Sequence, residues 1–121
     1  MLKKKLKLEH LLEELTLAKS NLTQEQSIYN ELEEKYSIAY QEFINAKHIY
    51  ETALQNYNKN CNCESAYEES FARRQYSQAT DRLNEITDSF NAAKKRVKKA
   101  TKVYNKLNNI VEEKSANQPG L

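Results

Sequence analysis

The first 118 residues contain neither glycine nor proline, because the chain has one of each and they lie at Pro119 and Gly120. These two residues are the strongest helix breakers, and they are also common in the tight turns that sheet proteins need. A chain of 121 residues that lacks this turn chemistry is predicted to be all-α. Charged residues make up 30% of the chain and hydrophobic residues 39%, which favours a thin helical seam over a thick globular core.

Large side chains recur every seven residues along the first half of the chain, and a second series follows three residues after each of them. This spacing is the heptad repeat of a coiled coil, and we call its positions the seam. The first series is Leu8, Leu15, Leu22, Tyr29, Tyr36, Phe43, Tyr50 and Tyr57, and the second is Leu11, Ala18, Glu25, Leu32, Ala39, Ala46 and Ala53. In the second half the seam comprises Tyr76, Ala79, Leu83, Ile86, Phe90, Ala93, Val97, Ala100, Tyr104, Leu107 and Val111.

These repeats predict a long antiparallel two-helix coiled-coil hairpin that forms a single domain over residues 1–114. Helix one is expected over about 2–57 and helix two over about 65–114, with a turn at 58–64. Residues 115–121 are expected to be a flexible tail.

The chain is expected to reverse direction about Cys61. Ser65 and Glu68 have the spacing of a capping box, which satisfies free amides in the first turn of a helix. Reversal at this point places large seam residues opposite small ones, for example Phe43 opposite Ala79, and so lets the two helices approach closely.

Residues 20–23 offer an alternative fold. Thr23 could cap a new helix after Asn21, and a break there would give a three-helix bundle instead of a hairpin. In the hairpin, two molecules could also associate into a four-helix assembly.

Many apolar side chains lie outside the seam, and a group this large indicates that another helix packs there, from a second copy or from a partner protein. The predicted partner-binding residues are Ile28, Ile38, Tyr40, Ile44, Ile49, Tyr67, Phe71, Val103 and Ile110, and further residues off the seam are Leu12, Leu17 and Leu54. Within this set, Tyr67 and Phe71 are expected to form a second, smaller contact patch near the turn, beside Glu64, Glu68 and Glu69. They do not fit the heptad register of helix two. Either the register shifts near the turn, or these rings face outward, or they pack against Tyr50 and Leu54.

Charge is unevenly distributed, with a net charge of +1 over residues 1–30, −5 over 31–91 and +6 over 92–121. The candidate polyanion-binding residues are Lys94, Lys95, Arg96, Lys98, Lys99, Lys102 and Lys106. They could bind the phosphates of nucleic acid or of an anionic membrane. Because they occupy five heptad positions and surround the helix, a solvated helix surface is the favoured interpretation.

Glu25 is the one charged residue of the seam. Reversal about position 61 places it opposite Val97, within reach of Lys94 or Lys98. We expect it to set the register of the hairpin rather than to act as a catalytic acid. Glu13 and Glu14 are expected to pair with the basic segment in the same way.

Cys61 and Cys63 lie in the predicted turn, which is the one segment outside the seam. A tetrahedral zinc site needs four ligands, so these thiols could hold a metal only if two hairpins met tip to tip. Such a pair would resemble the metal hook on the coiled-coil arms of SMC-like DNA-repair ATPases. That family uses Cys-x-x-Cys and has ATPase heads, whereas this chain has Cys-x-Cys and no phosphate-binding loop. Free thiols or an intermolecular disulfide are the favoured alternatives.

The sequence contains no glycine-rich phosphate loop and no cluster of His and carboxylate residues, so neither an enzyme nor a cofactor or small-molecule site is expected. We expect a scaffold, adaptor or chaperone that works through protein contact, with binding of a polyanion by residues 94–106 as the alternative. KLKLEHLLEEL resembles the basic, Leu-rich starts of the stalk proteins of flagellar and type III export. In outline the chain also resembles the small leaderless substrates of type VII secretion, although it lacks their Trp-x-Gly turn. These resemblances imply a place in a secretion or export apparatus.

Glu9, Glu13 and Glu14 interrupt what would be the apolar region of a signal peptide, and no run of about 18 apolar residues is present. The sequence therefore predicts a cytoplasmic protein without a transmembrane segment, and it leaves leaderless secretion open.

Overall fold

The protein is an all-α helical hairpin of two helices, α1 (Leu2–Lys59) and α2 (Cys63–Ala116), which pack against each other. The computed structural model describes the backbone of residues 2–116 and the side chains of residues 7–116. Each helix extends two residues closer to the turn than the sequence indicates, so the connection is residues 60–62. At the far end α2 includes Ser115 and Ala116, and the rest of the predicted tail lies outside the described residues.

The alternative of a three-helix bundle is wrong, because α1 runs without a break through residues 20–23. The hydroxyl of Thr23 donates a hydrogen bond to the carbonyl of Lys19 at 3.0 Å. This hydroxyl therefore bonds to the preceding helical turn and does not cap the start of a new helix.

The cap of α2 begins three residues before the predicted one. Asn62 Oδ1 accepts a hydrogen bond from the Ser65 amide at 2.8 Å, and Ser65 Oγ accepts one from the Asn62 amide at 3.0 Å. This is the reciprocal arrangement of a capping box, with Asn62 as the N-cap residue and Ser65 three residues later. The Ser65 hydroxyl also donates to the carbonyl of Asn60, so one buried side chain ties the turn to the start of α2.

The predicted seam is confirmed, because every one of its residues is buried or half-buried. The best-covered apolar residues are small ones, namely Ala18, Ala39, Ala72, Ala79, Ala93, Ala100 and Val111. Among the described residues no large side chain is fully buried. The core is therefore a narrow strip in which methyl groups are enclosed and rings are only partly covered.

The chain divides into two compact units, which we name by their net charge. The acidic unit is Glu31–Asn91, which contains the turn and has six basic and eleven acidic residues, a net charge of −5. The basic unit is Met1–Asn30 with Ala92–Leu121, which has thirteen basic and six acidic residues, a net charge of +7.

In the acidic unit, aromatic rings from both helices meet in the seam. Tyr76 contacts Phe43 and Tyr50, with ring centroids 5.5 and 5.6 Å apart, and Tyr36 stacks on Phe90 at 5.4 Å. Phe43 and Tyr50 lie on either side of Ala46, the residue that reversal about position 61 places opposite Tyr76. Each such ring pair stabilises the folded state by roughly 0.5–1.5 kcal/mol beyond the contribution of its buried apolar area.

The heptad register of α2 continues unchanged to the turn. Ser65, Ala72 and Ala79 follow one another at intervals of seven and are all buried. Tyr67 and Phe71 face outward and are 73% and 54% exposed. The seam near the turn is therefore partly polar, and both rings remain on the surface.

Candidate protein-binding surface

Most of the predicted partner-binding residues lie on the surface. In the acidic unit Ile38, Tyr40, Ile44, Ile49, Tyr67 and Phe71 are all exposed, and in the basic unit Val103 is exposed. Ile28 and Ile110 are half-buried and so offer less contact area. Leu17 is 70% exposed, which is the highest value among the described aliphatic residues of the basic unit.

Three of these exposed side chains line a groove in the acidic unit. Ile49 of α1 and Tyr67 and Phe71 of α2 line a concavity of about 500 Å³, which also includes Ala53 and Ala72. The remaining lining residues are His48, Thr52, Asn56 and Glu68. Large apolar side chains surround small ones here, which is the usual form of a surface that receives another side chain or helix.

The groove continues along the same side of the acidic unit. A second concavity of about 370 Å³ shares Ile49, Phe71 and Ala72 with the first, and it extends to Ala46 and Ala79. Its far end includes Glu42 and Arg82, whose side chains form an ion pair at 3.5 Å. We call the two concavities together the alanine-lined groove.

The sequence interpretation assigned Ile49 and the pair Tyr67 and Phe71 to separate patches. The structure brings them together, because the hairpin places residue 49 of α1 beside residue 71 of α2. The contribution of the seam alanines to this surface was missed. The available signal was the repeat of alanine every seven residues beside an off-seam isoleucine, as at Ala46, Ile49 and Ala53.

Other predicted contact residues lie outside the groove. Tyr40 stacks on Tyr36, with ring centroids 6.2 Å apart, so part of its ring supports the seam. Ile38 and Ile44 are exposed on α1 and do not line either concavity. A further open concavity in the basic unit is lined mainly by hydroxyl and amide side chains of α1, with Ile28 as its one large apolar residue.

All seven candidate polyanion-binding residues are exposed. Arg96 Nε donates a hydrogen bond to Glu25 Oε2 at 3.0 Å, so the partner of Glu25 is Arg96 and not Lys94 or Lys98 as the sequence suggested. Glu14 contacts His10 on its own helix at 3.0 Å instead of the basic segment. Six lysines of the candidate set form no ion pair within residues 7–116.

The two thiols are free and exposed in the described turn. The hydrogen bond between the Tyr57 hydroxyl and the Cys61 thiol raises the pKa of Tyr57, with smaller contributions from the charge of Cys61, from burial and from the charge of Glu69. Within the described residues no three His, Cys, Asp or Glu side chains come together in one place to hold a metal. The tip-to-tip site at Cys61 and Cys63 needs a second molecule and stays a prediction.

No family model, curated protein or solved structure matches this chain. Within the described residues, neither helix has a segment that is long and apolar enough to cross a membrane.

Proposed function

We propose that the protein is a non-enzymatic helical hairpin that acts through protein contact, as a scaffold, adaptor or chaperone within a larger assembly. The observation that carries this proposal is the number of large apolar side chains on the surface of the acidic unit. Six of the nine predicted contact residues lie there, each between 38% and 73% exposed. A place in a secretion or export apparatus is part of the same proposal and rests on resemblance in outline.

Exposed apolar side chains on a thin hairpin favour docking because burial of their surface stabilises a complex. Each square ångström of apolar surface removed from water contributes about 25 cal/mol before the cost of association is subtracted. Single exposed apolar residues are common and need no explanation, but contiguous ones mark interaction surfaces. Ile49, Tyr67 and Phe71 are contiguous along one groove.

The test is capture of binding proteins from the source organism by the purified full chain, followed by reconstitution with the purified candidate. A variant that carries Ile38→Ser and Ile44→Ser, and a second that carries Ile49→Ser and Phe71→Ser, should each be compared with the wild type. The matched control carries Gln55→Ser and Gln78→Ser, which change exposed polar residues of the same unit. We expect at least one apolar variant to weaken the reconstituted complex about tenfold or more. A complex that neither apolar variant weakens would contradict the proposal.

A second function is favoured by the charge of the basic unit, which is +7, and by the exposure of the seven basic residues in its α2 segment. This surface could bind a polyanion, namely nucleic acid or an anionic membrane. A 20-base-pair DNA duplex and phosphatidylserine vesicles are suitable probes. Binding should weaken steeply with added salt and should be lost when the four lysines within 94–99 are replaced by alanine. Lys35→Ala with Lys47→Ala, which are exposed in the acidic unit, should leave binding nearly unchanged.

A further inference from the structure

We propose that the alanine-lined groove binds one amphipathic α-helix of a partner protein, and that this helix carries basic residues beside its apolar stripe. The inference rests on the proposed function, since it names the kind of partner that the exposed apolar surface would receive. The groove can hold a helix because of its shape, and it favours a basic one because of its charge.

The shape follows from where the alanines lie. Ala46 and Ala53 are seven residues apart on α1, and Ala72 and Ala79 are seven apart on α2, so each helix contributes small side chains on successive heptads. Ala72 and Ala79 are only 4% exposed and form the floor of the groove, whereas Ala46 and Ala53 are half-buried. Small side chains at these positions leave space above the floor for the large side chains of a third helix. Ile49 lines both concavities, as do Phe71 and Ala72.

The length of the groove fits a helical segment of about four turns. Its α1 lining runs from Glu42 to Asn56, which is a span of about 21 Å at 1.5 Å per residue. A helix of this length presents apolar side chains at i, i+3 or i+4, and i+7 along one stripe. Tyr67 and Phe71 add aromatic area, and aromatic residues are enriched among those that dominate binding energies.

The charge of the groove favours a basic occupant. Its lining includes the acidic residues Glu42 and Glu68 within a unit of net charge −5. Glu42 is paired with Arg82, whereas Glu68 is exposed and forms no ion pair within residues 7–116. Lysine or arginine residues on the flank of a bound helix would be attracted by this negative charge. The attraction speeds association with a basic helix, and the same charge disfavours acidic partners.

A designed peptide tests this directly. The probe is a 21-residue helix labelled with a fluorophore, with leucine along one stripe and lysine at the other positions. Two control peptides carry glutamate in place of lysine, or the same composition with the leucines scattered around the helix. We expect the full-length protein to bind the probe, as measured by fluorescence anisotropy, at least about tenfold more tightly than either control.

Variants of the protein then locate the binding surface. Ile49→Ser with Phe71→Ser should weaken probe binding about tenfold or more, whereas Leu17→Ser, at a more exposed apolar position of the basic unit, should leave it unchanged. Glu68→Lys should weaken binding more than Glu31→Lys, which makes the same charge change at an exposed residue of the same unit outside the groove. Helical content by circular dichroism shows that each variant is still folded.

Three results would overturn the inference. The first is equal binding of the lysine and glutamate peptides, and the second is an equal loss of binding with Leu17→Ser. The third is a dimer in analytical ultracentrifugation that Ile49→Ser with Phe71→Ser dissociates, since a second copy would then occupy the groove.

The proposed function can fail or hold independently of the groove assignment. If a reconstituted natural complex is weakened by Ile38→Ser with Ile44→Ser and not by the groove variant, the protein acts by contact but the groove assignment is wrong. If neither variant weakens it, the proposed function fails, whatever the peptide does.

Discussion

Arg96 of α2 reaches across the basic unit to Glu25 of α1, with its Nε 3.0 Å from Glu25 Oε2. The Glu25 side chain is only 19% exposed, so the one carboxylate of the seam is paired where it is largely removed from water. A single polar residue in an otherwise apolar seam often sets register at some cost in stability. This pair defines one axial position of α2 relative to α1 in the basic unit.

We therefore expect Arg96→Ala to lower the free energy of unfolding by about 1 kcal/mol, because Glu25 would lose its partner while it stays half-buried. In a double-mutant cycle with Glu25→Ala, the coupling energy should be about 0.5–1 kcal/mol and should shrink with added salt. Urea unfolding followed by circular dichroism measures both quantities. Lys98→Ala is the matched control, and an effect as large as that of Arg96→Ala would contradict the assigned partner.

Glu25→Leu should have the opposite effect on stability. An apolar side chain at this seam position removes the cost of burying a carboxylate, so the free energy of unfolding should rise by about 1 kcal/mol or more. Because the residue that sets the register is then lost, spin labels across the basic unit should report a broader distance distribution than in the wild type. A sharp, unchanged distribution would show that the ring and methyl packing alone sets the register.

Neighbouring alanines of α2 provide a direct test of the seam. Ala93 has no exposed surface, whereas Ala92 is exposed. Ala93→Leu should therefore destabilise the protein by about 1–3 kcal/mol, because the larger side chain forces the helices apart. Ala92→Leu should change stability by less than about 0.5 kcal/mol. Thermal unfolding of the two variants, compared with the wild type, measures this difference and so tests which face of α2 is buried.

The cap at the start of α2 predicts a local effect. Asn62→Ala removes the side-chain acceptor of the Ser65 amide and should cost about 1 kcal/mol. Asn58→Ala, at an exposed residue inside α1, should cost little or should stabilise slightly, since alanine is the better helix former. Hydrogen exchange should also show faster exchange of the first-turn amides of α2 in the Asn62 variant alone. Equal effects of the two substitutions would contradict the cap.

The raised pKa of Tyr57 predicts that the stability of the fold depends on pH. Its hydrogen bond to Cys61 raises its folded-state pKa above the ordinary 10.0, so the folded chain holds this proton more tightly than the unfolded chain. The contribution of Tyr57 to stability is therefore complete below pH 10.0 and is lost as the pH rises through the folded-state pKa. Subtraction of the 295 nm titration of Tyr57→Phe from that of the wild type isolates this ionisation.

Removal of the thiol partner is the control for this titration. Cys61→Ala should move the ionisation of Tyr57 back toward pH 10.0, because the first cause of the raised pKa is gone. Cys63→Ala should leave it in place. A Tyr57 midpoint at or below 10.0 in the wild type would show that the hydrogen bond does not persist in solution.

The sequence alone determined the helices and the face that each one buries. Lack of glycine and proline favours unbroken helix, and the heptad repeat selects one stripe of side chains. The seam residues, from Leu8 at one end of the list to Val111 at the other, could therefore be assigned by counting along the chain. Helix formation and the choice of the buried face both depend on residues three to seven positions apart in the sequence. They can therefore be predicted without knowledge of the tertiary structure.

The tertiary structure decided which residues of α1 and α2 meet. The partner of Glu25, the outward position of Tyr67 and Phe71, and the groove that joins them to Ile49 all depend on the axial position of one helix against the other. That position results from rings packing against methyl groups across the seam, and a shift of one helical turn would leave each heptad pattern satisfied while changing every contact. Local periodicity cannot distinguish such registers, and side-chain packing between the helices can.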